Sequence, residues 1–438
     1  MRLREEHVSR QSQPRRRRVR LDLDSLPALV GPDWIDGRLY TCADIFEREI
    51  ERIFEGGWVW VAHESEVAQA RSFKTLAIGR QPVIVTRTDK GELVTMLNRC
   101  RHRAATVCQA ERGHASRFVC AYHGWSYTPE GRLVGVPQPE GYEGVLDRSA
   151  LGLKTLRTES YGGLVFASLN DAVAPLSDYL ADAKPWIDRF NRQAAGYPLV
   201  VLGDHRFQFE GNWKIPMENT TDGYHLPVVH NSYLRFVESE TSDRLASVMA
   251  SDELYCLTLG NGHSVGIFDA DAIDLDLPSR KPVPKHYEQL ARELSGSLPT
   301  ADVARILRAV GGVGFNLNIF PNIALSGAFL RELRPLGVDR TEVRHIALGM
   351  GGGPAAANRA RLRIHEQFQG PAGLGSSDDR EAWERVARGA RAGGDMAVLL
   401  NRGVNRERAA GNARRAHATD ELGMRAAYAR WREVMADA

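Results

Sequence analysis

Between Asn98 and Tyr127 the chain reads NRCRHRAATVCQAERGHASRFVCAYHGWSY, and Cys100, His102, Cys120 and His123 within it form two short clips, C-x-H and C-x2-H. Each clip offers one thiolate and one imidazole, whereas zinc ribbons are normally built from C-x2-C clips. A donor set divided in this way suits two chemically different metal ions. It fits a [2Fe–2S] centre in which one iron takes both sulfurs and the other takes both imidazoles. A structural zinc site is the blander alternative. In either case the short spacings put the four residues on loop tips.

A second constellation runs from Asn212 to His230, NWKIPMENTTDGYHLPVVH. Asp222 and His225 are three apart and so share a helix face, while His230, five further on, falls about 140° away on a regular helix. Pro227 removes a backbone donor and clashes one turn back, so a helix distorted there would bring the two imidazoles together. Two histidines and one carboxylate leave open positions on ferrous iron, as an oxygen-activating site requires. Asp222 could supply the carboxylate by proximity, and so could Asp378 or Asp379 in the distant segment GPAGLGSSDDREAW. The competing reading of that pair is a cap and first-turn charge for the helix that follows. The residues alone divide the role evenly.

Three segments carry a resemblance. NRCRHRA with CAYHGWSY resembles the Rieske cluster motif, ENTTDGYHLPVVH the catalytic-iron motif, and FQGPAGLGSSDD the carboxylate segment of the ring-hydroxylating oxygenase large (alpha) subunits. On matching positions the resemblance implies Cys100, His102, Cys120 and His123 as cluster ligands, and His225, His230 and Asp379 as ligands of a mononuclear Fe(II). Asp222 would link the two centres, and Asn219 would stand near the iron. It further implies electrons from NAD(P)H, delivered by a separate reductase directly or through a ferredoxin, and an aromatic substrate that reacts with O2 to give a cis-dihydrodiol. Monooxygenation or demethylation remains open on the same metals. The implied assembly is a ring of three, either a homotrimer or an alpha3beta3 complex with a small beta subunit, in which Asp222 contacts His123 of a neighbour. DGYH-x4-H, FPNIAL and GLGSSDD look most like the benzoate, anthranilate and cumate branch, which points to an aromatic carboxylate. Arg235, just past His230, is a candidate partner for that charge.

The elements that must position these residues form an α+β chain. CADIFEREIERIFEGG predicts a short amphipathic helix stopped by Gly56 and Gly57. The runs SFKTLAIG, QPVIVTRT and ELVTMLN, broken by turn residues, predict a small antiparallel β domain over residues 38–160, preceded by a tail and lead-in over 1–37. Residues 161–438 predict a larger catalytic domain with an antiparallel sheet flanked by helices, which the resemblance casts as a helix-grip or START-like fold. Its helices are expected at 176–191, 283–295, 300–309, 355–368, 379–392 and in the Arg- and Ala-rich stretch from Arg402. Residues 271–300 read as a loop around one short helix.

A length of 438 residues calls for two or three domains. Lys plus Arg (57) nearly balances Asp plus Glu (55), which argues against a polyanionic partner or a membrane surface. Basic stretches carry no interleaved aromatics, so nucleic acid is not expected, and no run approaches the ~18 apolar residues of a membrane span. Five cysteines without framework spacing fit a reducing, cytoplasmic setting with Cys42, Cys108 and Cys256 as free thiols. Arg15 to Arg18 read as a solvated tail, since Asp22 and Asp24 interrupt any export signal. RHIALGMGGGPAAANRARL imitates a dinucleotide turn, but Pro354 stands where the third glycine belongs.

Overall fold

The structure is a computed structural model and describes residues 23–237, 251, 253–269, 287–392 and 396–436. The basic run Arg15–Arg18 lies outside the described residues, as does most of the loop expected at 271–300.

The first sheet is antiparallel, with strands in the order Val59–His63, Leu164–Ser168, Thr155–Tyr161, Leu93–Leu97, Gln81–Arg87, Ser72–Ile78 and Arg112–His114. Val83, Ile84 and Val85 are all fully buried. That strand is covered on both faces, which is why QPVIVTR reads as a continuous apolar run rather than an alternation. Leu164–Ser168 pairs with both Thr155–Tyr161 and Val59–His63, so the sheet is completed by residues beyond 160. A three-stranded sheet, Phe118–Val119, Ser126–Tyr127 and Leu133–Gly135, carries the second clip.

The predicted amphipathic helix is Ala43–Glu49, continued by a wider π-helical segment Ile50–Glu55 that stops at Gly56. Its buried Ile45, Phe46, Ile50, Ile53 and Phe54 share one core with Trp213, Tyr428 and Trp431 of the larger, C-terminal part of the chain. Inside that core Lys214 Nζ lies 2.6 Å from Glu49 Oε1, with both side chains fully buried. The Nε1–H groups of Trp213 and Trp431 also donate to this carboxylate.

The second sheet is antiparallel throughout, in the order Leu199–Phe209, Arg340–Met350, Phe329–Gly337, Ile323–Ser326, Phe315–Ile319, Ser264–Ile267, Tyr255–Thr258, Ala413–His417 and Arg408–Ala410. An antiparallel sheet cannot supply the parallel crossover of a dinucleotide fold, so the Gly-rich turn before Ala355–Phe368 is only a strand-to-helix connection. Directly opposed residues share a sheet face. Leu317, Leu325, Leu330 and Ile346 point to one face and pack with Trp186, Ile187 and Phe190. Asn318, Ala324, Arg331, His345 and His205 line up across the other face. Lys214–Thr221 and Leu374–Ala390 carry the residues that meet this second face.

Two expectations change here. The stretch from Arg402 is not one helix: Arg408–Ala410 and Ala413–His417 form a hairpin that extends the sheet, and only Leu422–Ala436 is helical. Gly411, at φ +61°, makes the turn with Asn412, a short-range hairpin signal that outweighs the helix preference of Ala and Arg. The helix expected at 176–191 is broken at Ala181, giving Leu176–Leu180 and Lys184–Arg192. Among the described residues no helix is long and apolar enough to cross a membrane.

Candidate metal centres

Both clips are tight turns at one end of the β domain, each closed by a backbone bond, Ala104 N–H to Cys100 O and Gly124 N–H to Cys120 O. Cys100 and Cys120 are buried in an apolar shell with Trp125, Tyr127 and Leu133. The Tyr127 hydroxyl accepts the Arg101 N–H at 3.1 Å, so its own hydrogen is free for Cys100 Sγ at 3.3 Å. Burial, and then the bond to Cys100, hold this phenol in its neutral form. The rings of His102 and His123 lie 4.6 Å apart, and His102 stacks on Trp125 at 4.9 Å. Tyr142 Oη meets His102 Nε2 at 3.3 Å, leaving Nδ1 buried without a partner. Two sheltered thiols and a buried unpartnered imidazole nitrogen fit a cluster with mixed ligands.

The second constellation assembles differently from expectation. Lys214–Thr221 ends because Asp222 adopts extended backbone, φ −100° and ψ 112°. Asp222 Oδ1 accepts the Tyr224 N–H at 2.5 Å, the local turn a short acidic side chain favours. Gly223 donates to Ala418 O, and a Cβ at this position would stand 2.5 Å from that oxygen, so only glycine fits. His225 caps a single helical turn, Leu226–Val229, in which Pro227 sits near the start, where a missing N–H costs little. Asp222 and His225 therefore do not share a helix face, and Pro227 does not bend a continuous helix. The break at 222–225 brings the two imidazoles to 5.2 Å between ring centres.

The third residue comes from Leu374–Ala390, whose cap is Gly373. Asp378 and Asp379 lie in its second turn, so they are not capping residues. Asp379 is 2% exposed, with Oδ1 3.3 Å from His230 Nε2 and 3.6 Å from His225 Nε2. One donor atom from each of the three residues falls within 4.8 Å of the others. Asp378 turns away and accepts the Ser232 hydroxyl at 3.0 Å. Asp222 lies behind His225, with Oδ2 3.2 Å from Nδ1, close in space but out of line for a hydrogen bond. Two imidazole nitrogens and a carboxylate oxygen thus face one point, the donor set that suits non-haem Fe(II). Asn219 Nδ2 donates to Asp379 Oδ1 at 3.0 Å and lies 3.2 Å from His225 Nε2.

Three residues of this region, the buried Arg331 and His345 and the half-buried Glu218, escape sequence reasoning. Arg331 reaches Asp379, Asn219, Thr220 and His345. Burial pushes the Asp379 carboxyl up, but the bond to His230 and the charges of Arg331 and the histidines more than offset this and hold it below its ordinary value. His345 is fully buried and strongly disfavoured from protonation. Glu218 accepts from the Tyr40 and Tyr428 hydroxyls, and burial pushes its carboxyl up to about 7. The signal for Arg331 was the alternation in FLRELRPLG, which puts it on the same strand face as Phe329. Arg235, by contrast, is exposed on Asn231–Val237, where a carboxylate contact would be solvent-screened.

A cavity of about 210 Å³ adjoins the site, lined by Tyr233, Phe329, His365, Phe368 and Gln369 among others. Phe368 lies 5.0 Å from the His230 ring and 4.5 Å from Tyr233, so the cavity begins one aromatic ring away from His230. A Cβ on Gly375 would stand 2.4 Å from the Phe368 ring, so glycine there lets the helix seat this ring.

Comparison with known proteins follows the same division. Residues 57–156 match the Rieske [2Fe-2S] domain, and residues 198–437 match the ring hydroxylating alpha subunit catalytic domain. The chain is 36% identical over 360 residues to the anthranilate 1,2-dioxygenase large subunit of Acinetobacter baylyi, covering 78% of this chain and 74% of that one. It is 32% identical over 398 residues to the toluate 1,2-dioxygenase alpha subunit of Pseudomonas putida, covering 86% and 84%. The 2-halobenzoate 1,2-dioxygenase large subunit of Burkholderia cepacia is 30% identical over 377 residues, covering 84% and 79%. Among solved structures, naphthalene 1,2-dioxygenase with indole bound superposes with a TM-score of 0.80 at 25% identity, covering 95% of each chain.

Proposed function

The chain belongs to the ring-hydroxylating oxygenase alpha subunits, which join a Rieske [2Fe–2S] domain to a catalytic domain holding a mononuclear iron, and from that premise we propose that its substrate is an aromatic carboxylate. The observation that supports a single aromatic ring is the 210 Å³ cavity one ring away from His230, and the acid group is argued from the relatives. A cavity of about 150 Å³ already admits benzene, so this one suits a single ring with a small substituent. The anthranilate, toluate and 2-halobenzoate dioxygenases point to the same class.

In this reading Cys100, His102, Cys120 and His123 hold the cluster, and His225, His230 and Asp379 hold the iron. When bound, the cluster supplies single electrons and the iron supplies the redox chemistry that couples O2 to the ring. The chain's own residues do the rest. Tyr127 donates to the Cys100 sulfur and neutralises part of its charge. Asp222, behind His225, favours the proton on Nδ1 and leaves Nε2 directed into the site. Asn219 steadies Asp379 Oδ1. Phe368 and Tyr233 wall the cavity and exclude water beside His230.

Members of the family are multicomponent oxygenases that receive NAD(P)H electrons through a reductase, with ferredoxin partners in some. For this chain we infer a ring of three, in which Asp222 of one copy meets His123 of its neighbour, as a homotrimer or with a small beta subunit. Exposed apolar side chains flank both residues: Tyr224 (56%) and Val228 (77%) near Asp222, Val119 (55%) and Tyr122 (58%) near His123. The substrate test is turnover with a surrogate reductase across benzoate, 2-aminobenzoate and neutral arenes, with product analysis. A cis-diol carboxylate is expected. Turnover of neutral arenes with no product from any aryl carboxylate would overturn the reading.

A further inference from the structure

Two polar side chains in the wall of the ring-sized cavity have nitrogens with nothing to bond. His365 and Gln369 both line it, four residues apart at the end of Ala355–Phe368, so they stand on one helix face with roughly 5–6 Å between their Cβ atoms. They are 6% and 3% exposed. Phe368, between them in sequence, walls the cavity toward the His230 ring at 5.0 Å, and Phe329 packs 5.8 Å from the His365 ring. The Ser326 hydroxyl, also in the lining, is already given to Asn316 Oδ1.

Gln369 is fixed at its oxygen. Oε1 accepts the Ser376 hydroxyl at 3.1 Å, which leaves the amide nitrogen Nε2 without a partner among the described residues. His365 Nδ1 is sealed in protein and has no partner either. Nε2 of the same ring also makes no hydrogen bond among the described residues, and it is the edge that stays open to the cavity. Burial, with His205 beside it, pushes this imidazole down to about 4, so at neutral pH it carries a single N–H. A stranded N–H is the rarer and costlier orphan, so that hydrogen belongs on Nε2, where a ligand can accept it. Both open groups are then donors.

We propose that His365 and Gln369 together receive the substrate's carboxylate: a ring seated beside Phe368 and Phe329 presents its acid group to the two Nε2 donors. An ionised carboxylate offers acceptors only, so it matches a pair of donors and brings no donor of its own that the wall would leave unpaired. The proposal rests on the aromatic-carboxylate reading above, and it moves the acid's contact from the exposed Arg235 to the wall of the cavity itself.

The test is calorimetric binding of benzoate and of toluene, which has a methyl group in the acid's place, to iron-reconstituted protein with iron measured in every sample. His365→Phe and Gln369→Met each remove one donor and keep most of the bulk. Each should weaken benzoate roughly ten- to a hundredfold, the loss of a hydrogen bond to a charged group, while toluene changes far less. His365→Gln, which returns an N–H near the position of Nε2, should recover part of the loss. An unchanged benzoate-to-toluene ratio in either His365→Phe or Gln369→Met would overturn the proposal. If either fails to fold or to hold iron, Gln369→Glu decides: it keeps the shape and an acceptor for Ser376 but withdraws the amide donor, and an unchanged ratio there overturns the proposal equally. Wild-type protein that binds no aryl carboxylate would instead remove the substrate reading itself, a result distinct from an unchanged ratio.

Discussion

Asp222 and Asp379 approach the same histidine from opposite edges, so their removal should have different consequences. Asp379 Oδ1 faces the Nε2 atoms of both imidazoles. Asp379→Asn should lose the mononuclear iron and keep the [2Fe–2S] cluster, as metal analysis with the visible spectrum will show. Asp222 faces only Nδ1 of His225. Asp222→Asn should keep both metals and a reducible cluster while product formation collapses, and near-wild-type turnover would show that the link between centres runs elsewhere. Glu218 supplies a pH signature. Burial raises its folded-state value to about 7, above the ordinary 4.5. Its contribution to stability is therefore full below the unfolded value and is lost as pH rises to about 7, an effect of a few kcal/mol at most. Glu218→Gln should flatten that part of the stability profile in urea titrations at successive pH values. At this scale the four proposed cluster ligands and the two histidines of the proposed iron site stand out in the sequence because their types and spacings are chemically unusual. Arg331 and Glu218 do not, because a lone charge in an apolar stretch reads as solvent-facing until its partners, far off in sequence, are known.

At the scale of elements, the decisive feature is the break after Thr221. The strands Ser72–Ile78, Gln81–Arg87 and Leu93–Leu97 were readable because apolar runs between turn residues report strands directly. The break was not readable from Pro227, because proline is well tolerated in the first turn of a helix and marks a start as readily as a bend. The better cue was the Asp222-Gly223 pair, a turn signal in the middle of a helical pattern. Gly223→Ala should push against Ala418 O and the Phe268 ring, shift His225 and lower iron occupancy, with a stability loss of about 1–3 kcal/mol. Full iron content in that variant would show that the turn tolerates a side chain. The C-terminal hairpin teaches the same lesson, since the Gly411-Asn412 turn decided what residue-by-residue helix preference did not.

At the scale of the molecule, the helix Ala43–Glu49 ties the start of the chain to the catalytic domain through the Glu49–Lys214 pair. Removing one partner strands a buried charge, so Lys214→Met should destabilise by about 3–5 kcal/mol, read from the urea midpoint. The pairing joins positions 165 residues apart, a contact that no local pattern announces. As proposed, this chain adds both atoms of O2 to the ring of an aromatic carboxylate. The most direct measurement is mass spectrometry of the product formed from benzoate under 18O2 by the reductase-coupled protein. Dioxygenation gives a cis-diol carboxylate carrying two labelled oxygens; a product with a single label, or none from any aryl carboxylate while neutral rings react, would exclude it.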